Sequence, residues 1–116
     1  MKIWVDDVRE APEGYVWCKS TNEALRTITS NRDIIEIIDL DHDAGDYAKI
    51  GGDFINVLNE LERLSKGSTP SNREFWSVKC KQILFRLHSR NPVGVQNMRS
   101  IIERNGWKEI WDVVSK

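Results

Sequence analysis

Three apolar runs in this chain each stop on a polar cluster. Ile3-Trp4-Val5 ends at Asp6-Asp7, Ile34–Leu40 ends at Asp41-His42-Asp43, and Ile83–Leu87 ends at His88-Ser89. Runs of this length and composition read as short strands, and an α/β sheet gathers the carboxyl ends of neighbouring strands at one rim, where ligands bind. The pattern therefore predicts both a sheet and a crevice carrying carboxylates, two imidazoles and a hydroxyl.

The rest of the chain fits around those runs. Tyr15–Cys18 reads as a further strand after the turn material Ala11-Pro12-Glu13-Gly14. Ser20 with Glu23 forms a capping box, and Ala24, Leu25 and Ile28 follow at helical spacing. Ile34–Leu40 is nearly continuous in apolar character, as a central parallel strand covered on both faces requires. A second helix is expected from about Asp53 to Ser65, with Phe54, Val57, Leu58, Leu61 and Leu64 on one face. Residues 66–81 carry Gly67-Ser68, Thr69-Pro70-Ser71-Asn72 and only Phe75-Trp76 as an apolar patch, and read as a long loop or insertion. After the fourth strand, Asn91-Pro92 opens a third helix and Asn105-Gly106 closes it. Residues 107–114 fit a last edge strand or a short helix with Trp107, Ile110, Trp111 and Val114 inward; the strand is favoured. Strands alternating with helices imply a three-layer α/β/α sandwich with a mostly parallel sheet.

Length and charge narrow the function classes. At 116 residues the chain has room for one domain, 1–116. Its formal net charge of -1 supplies no general field toward nucleic acid or an anionic membrane, so any anion must be held locally. No stretch is long and apolar enough to span a membrane, and no signal peptide precedes the first strand, so a cytoplasmic location is expected. Cys18 and Cys80 lack metal-ligand spacing and fit a reducing compartment.

The chemistry concentrates at the strand ends. Asp6 and Asp7, joined by Asp41 and with Asp43 adjoining, are hard oxygen ligands of the kind magnesium takes, with manganese an alternative. A cation there would acidify a bound water, and His42 or His88 can move a proton. His88-Ser89-Arg90-Asn91-Pro92 joins a strand end to a helix N-terminus, whose free N–H groups favour an anion; Ser89, Arg90 and Asn91 outline a phosphate seat that Arg9 can approach. Plainer uses remain open at each position, since aspartates at strand ends also cap loops and a loop histidine also serves as a hydrogen-bond partner.

At Val5-Asp6-Asp7-Val8-Arg9 with Pro12, Leu40-Asp41-His42-Asp43-Ala44-Gly45, and His88-Ser89-Arg90-Asn91-Pro92-Val93-Gly94 with Asn97-Met98, the chain resembles the receiver-like proteins named for cyclic-phosphate processing. These are relatives of the receiver domains of two-component signalling. The resemblance implies a flavodoxin-like sheet of order 2-1-3-4, extended by a possible fifth edge strand, and a rim site on strands one, three and four. It also implies handling of cyclic phosphates, on a small phosphate-containing molecule or a nucleic-acid end. Asp6, Asp7, Asp41 and Ser89 match the receiver pattern of paired acid, phosphoacceptor aspartate and hydroxyl. The receiver lysine has no counterpart, Lys108 lying at the wrong end of its segment, and the helix between the first two strands is missing. The readings that follow are a metal-assisted phosphoesterase, in which Asp41, His42 and His88 do the chemistry, or a non-catalytic module that accepts a phosphoryl group or binds a phosphorylated ligand. A plain interaction domain using Trp76, Trp107 and Trp111 is the third.

Overall fold

Lys2–Val5 (β1), Tyr15–Cys18 (β2), Ile37–Leu40 (β3), Leu84–Leu87 (β4) and Lys108–Glu109 (β5) form one all-parallel sheet in the order β2-β1-β3-β4-β5. The computed structural model describes residues 1–67 and 69–111. Class, strand order and the fifth edge strand are those expected of a receiver-like α/β fold. The registers set the site: Val5 pairs with Leu40, and Leu40 with Leu87. The residues that follow, Asp6, Asp41 and His88, therefore begin at the same rim.

Four helices connect the strands: Thr21–Ser30 (α1), Ile55–Ser65 (α2), Pro70–Gln82 (α3) and Pro92–Arg104 (α4), with a 3-10 turn over Gly45–Lys49. Their starts follow local chemistry. Ser20 Oγ accepts from Glu23 N at 3.1 Å, and Asn91 Oδ1 accepts from Gly94 N at 2.9 Å. Among the described residues no helix is long and apolar enough to cross a membrane.

Three expectations need correction. Residues 66–81 are not a long loop, because α3 occupies most of them: Pro70 sits in its first turn, and Trp76 and Cys80, four apart, are buried. Only these two side chains are fully inside, so the apolar stripe is too thin to show as helical periodicity. Ile34 is exposed and β3 begins only at Ile37, although Glu36 still bonds Met1 and Leu84 through its backbone. The tail forms β5 over two residues, and 112–114 lie outside the described residues.

The third correction concerns layers. Ile3, Val5, Ile38, Leu40 and Phe85 share one core cluster with buried residues from all four helices, and α2 contacts each of the other three. All four helices thus lie on one face of the sheet. Right-handed crossovers require this, since the connections after β2, β3 and β4 all move across the sheet in the same direction. Only the β1–β2 connection moves the other way, and it has no helix. The second helical layer of the expected sandwich is therefore absent among the described residues. Trp4, Asp39, Arg86 and Trp17 align across that other face, where residues 6–14 close over Trp4 through a hydrogen bond from its indole to Arg9 O at 2.9 Å.

Candidate active site

Asp6, the first residue past β1, is fully buried, and both of its carboxylate oxygens are hydrogen-bonded. Its Oδ1 accepts from Val8 N at 2.9 Å and Arg9 N at 2.8 Å, the turn that an aspartate at a strand end forms with its own backbone. Its Oδ2 accepts from His88 Nε2 at 2.8 Å. The His88 ring lies between two carboxylates, its Nδ1 donating to Asp39 Oδ1 at 2.6 Å. It stacks on Trp4, with centroids 3.8 Å apart and planes 5° from parallel. Arg86 donates to Asp39 Oδ2 at 3.0 Å, and Arg9 donates to the His88 carbonyl at 3.0 Å. The His88 side chain is 5% exposed. The ring thus bridges two buried carboxylates, and the Arg86 guanidinium adds its positive charge on the far side of Asp39, where a buried carboxylate would otherwise be costly.

Above this layer Asp6, Asp7 and Asp41 converge, each offering an oxygen within 4.8 Å of the others. Crowding shows in Asp7, whose carboxyl is pushed above the usual carboxylate range, first by burial and then by the charges of Asp6, Asp41 and Asp43, against a lowering backbone hydrogen bond. Gly45, at φ +56°, brings its backbone against Asp7 and leaves no space for a Cβ. Three mutually repelling oxygens at the end of a parallel sheet suit a small hard dication, so the residues present fit magnesium or manganese.

A second group forms beside the first. His42, Asp43 and Asp53 also bring ligand atoms within 4.8 Å of one another. His42 Nδ1 donates to Asp43 Oδ1 at 2.7 Å, and that hydrogen bond is the main reason the Asp43 carboxyl lies below its ordinary range. The His42 ring presses on the first turn of α4: a Cβ on Gly94 would stand 2.5 Å from His42 Cγ. Asp53 Oδ1 accepts from Ala44 N at 3.0 Å. Asp43 thus belongs with His42 rather than with the Asp6, Asp7 and Asp41 oxygens.

The residues expected to seat a phosphate lie together at the start of α4. Ser89 Oγ accepts from Asn91 N at 3.1 Å, Asn91 caps the helix, and Arg90 is exposed. Ser89 keeps its own hydroxyl proton to donate, since accepting uses only a lone pair. Asn91 Nδ2 reaches Asp43 Oδ1 at 3.4 Å, which links this turn to the His42 group.

Sequence reasoning passed over Asp53, Trp4 and Arg86, and grouped Asp39 with Asp41 in one acidic cluster without pairing it to His88. The available signal was charge inside the strands. Asp39 is in register with both Trp4 and Arg86, and a parallel sheet of this order makes them neighbours. Asp53 was legible only as a helix start.

A family model described as the cyclic-phosphate processing receiver domain matches residues 1–104, a span that contains both groups and all of α4. No curated protein and no solved structure matches the chain.

Proposed function

This chain belongs to the cyclic-phosphate processing receiver family, and from that membership we propose that its rim site performs metal-assisted phosphoester chemistry on a cyclic phosphate. The observation that carries the reading is the convergence of the Asp6, Asp7 and Asp41 oxygens at the strand ends, beside a histidine oriented by its own carboxylate. Asp6, Asp7 and Asp41 would hold the cation. When bound, such an ion neutralises charge on the phosphoryl oxygens and acidifies a coordinated water.

The chain's own groups supply the rest. Asp43 fixes His42 at Nδ1 and so leaves Nε2 to accept or deliver a proton, the arrangement in which a carboxylate orients an imidazole for acid–base work. Ser89 and Arg90, at the capped start of α4, bind the phosphate by hydrogen bond and charge, and Asn91 holds their turn in place. Arg9, tied to the His88 carbonyl, adds positive charge on the β1 side. The substrate class is a cyclic phosphate on a small molecule or a nucleic-acid end, met in the cytoplasm.

His88, the second proton carrier in the sequence reading, has both ring nitrogens engaged. That engagement favours a second reading, in which the site binds a phosphorylated ligand or accepts a phosphoryl group on Asp41 without turnover. A panel of cyclic and linear nucleotides, assayed for hydrolysis and for thermal stabilisation with and without magnesium or manganese, separates the two. Hydrolysis that needs the metal and is lost in His42→Ala supports the enzyme. Stabilisation without hydrolysis, or labelling by a small phosphodonor that Asp41→Asn abolishes, supports the module. Neither hydrolysis, stabilisation nor labelling overturns both.

A further inference from the structure

Beneath the metal-ligand oxygens runs a chain of four polar side chains that reaches out of the site. Arg86 Nη1 donates to Asp39 Oδ2 at 3.0 Å, His88 Nδ1 to Asp39 Oδ1 at 2.6 Å, and His88 Nε2 to Asp6 Oδ2 at 2.8 Å. Asp39 and Asp6 are both essentially buried, and the His88 ring cannot pivot without giving up its stack on Trp4. We infer that Asp39, held by Arg86, is a positioning residue that fixes the His88 ring and through it the orientation of the Asp6 carboxylate toward a bound cation. The inference rests on the metal reading above and deepens it.

The geometry distinguishes Asp6 from its two neighbours. Its Oδ1 is fixed by Val8 N and Arg9 N, and its Oδ2 by His88, so both oxygens are set before any ion arrives. Partners that orient a ligating carboxylate from behind typically matter to affinity by roughly ten- to hundredfold, because a ligand free to rotate loses its freedom on binding. His88 in this arrangement is a strut rather than a proton shuttle. A shuttle needs a nitrogen open to the reacting atoms, and here the two nitrogens face Asp39 and Asp6.

Removal of charge and loosening of the strut can be told apart by sign. Arg86→Gln takes away a positive charge on the far side of Asp39, and by Coulomb's law alone that should tighten the binding of a dication. If Arg86 acts by holding Asp39, the same change weakens binding. The test is titration of the whole chain with Mn2+ alone, followed by electron paramagnetic resonance, with thermal unfolding recorded in parallel. The expected results are a roughly tenfold or greater loss of Mn2+ affinity in Asp39→Asn and a smaller loss, of several-fold, in Arg86→Gln, both in protein that remains folded. Mn2+ bound by Arg86→Gln as tightly as by the wild type, or more tightly, would overturn the inference, as would unchanged affinity in Asp39→Asn. Should Asp39→Asn fail to fold, Arg86→Gln decides alone, because its side chain is partly solvent-exposed. If the wild-type chain binds no Mn2+, the metal reading itself falls and takes this inference with it, whereas wild-type binding with unaltered variants removes only the positioning role.

Discussion

Gly94 shows how much of this site is set by one missing methyl group. Alanine in a helix normally exceeds glycine in stability, yet here its Cβ would stand 2.5 Å from His42 Cγ, and the ring is hemmed in by its bond to Asp43. Gly94→Ala is expected to destabilise the protein by about 1–3 kcal/mol and to displace the His42 ring, measured as a lower urea midpoint and as changed His42 ring resonances in NMR. Asp7 gives the opposite case. Burial and three neighbouring carboxylates raise its folded pKa above the ordinary 3.8, so the folded state binds a proton that the unfolded chain has released. Its contribution to stability therefore falls as pH rises from 3.8 through the raised value and is unfavourable at neutral pH. Asp7→Asn should melt higher than the wild type in chelator at pH 7 and lose the upward shift that magnesium gives the wild type; differential scanning fluorimetry reads both. At this scale the sequence was informative about which residues meet at the rim, because polar residues directly after apolar runs have few other places to go. It was silent on the pairing of Asp39 with His88, which depends on the strands lying side by side in one register.

Between elements, a polar tie joins α2 to the end of α4. Glu62 accepts from Arg104 at 2.7 and 2.8 Å and from Asn105 at 2.6 Å, with Lys66 at 3.4 Å. The Arg104 hydrogen bonds are the largest of the causes that hold its carboxyl down at about 2. A folded-state pKa below the ordinary 4.5 means that the bond's stabilisation is complete above pH 4.5 and is lost as pH falls toward about 2. Glu62→Gln should cost about 1–2 kcal/mol at pH 7 and flatten that acid limb, as followed by urea unfolding at a series of pH values. α1 and α4, with a side-chain cap and an apolar stripe, and α2, with the stripe alone, were legible from sequence. The third helix was not: Thr69-Pro70 places a proline in its first turn but supplies no side-chain cap, and among its polar residues only Trp76 and Cys80 turn fully inward. Periodicity needs more than two apolar residues to be visible.

Across the described residues, helices on one face and a bare connection on the other go with the lack of a helix between β1 and β2. The apolar run before Asp41 argued for cover on both faces, and half of it was right. Ile38 and Leu40 enter the helix-covered core, while Ile37 is partly exposed and Asp39 is buried by Arg86 and His88 instead of by apolar side chains. A charged residue inside a run that otherwise reads as apolar was the mark of a polar layer beneath the site. That layer, the three oxygens above it and the capped start of α4 all serve one claim: the rim holds a dication and opens a cyclic phosphodiester. The most direct measurement is hydrolysis of a 2′,3′-cyclic nucleotide by the purified chain, with magnesium or manganese and with chelator, for the wild type and Asp41→Asn. The account predicts turnover that appears with metal, stops with chelator and drops by at least about a hundredfold in the variant, the loss expected when an oxygen ligand and its charge leave a metal-assisted site. Turnover that persists undiminished in chelator or in Asp41→Asn would contradict it.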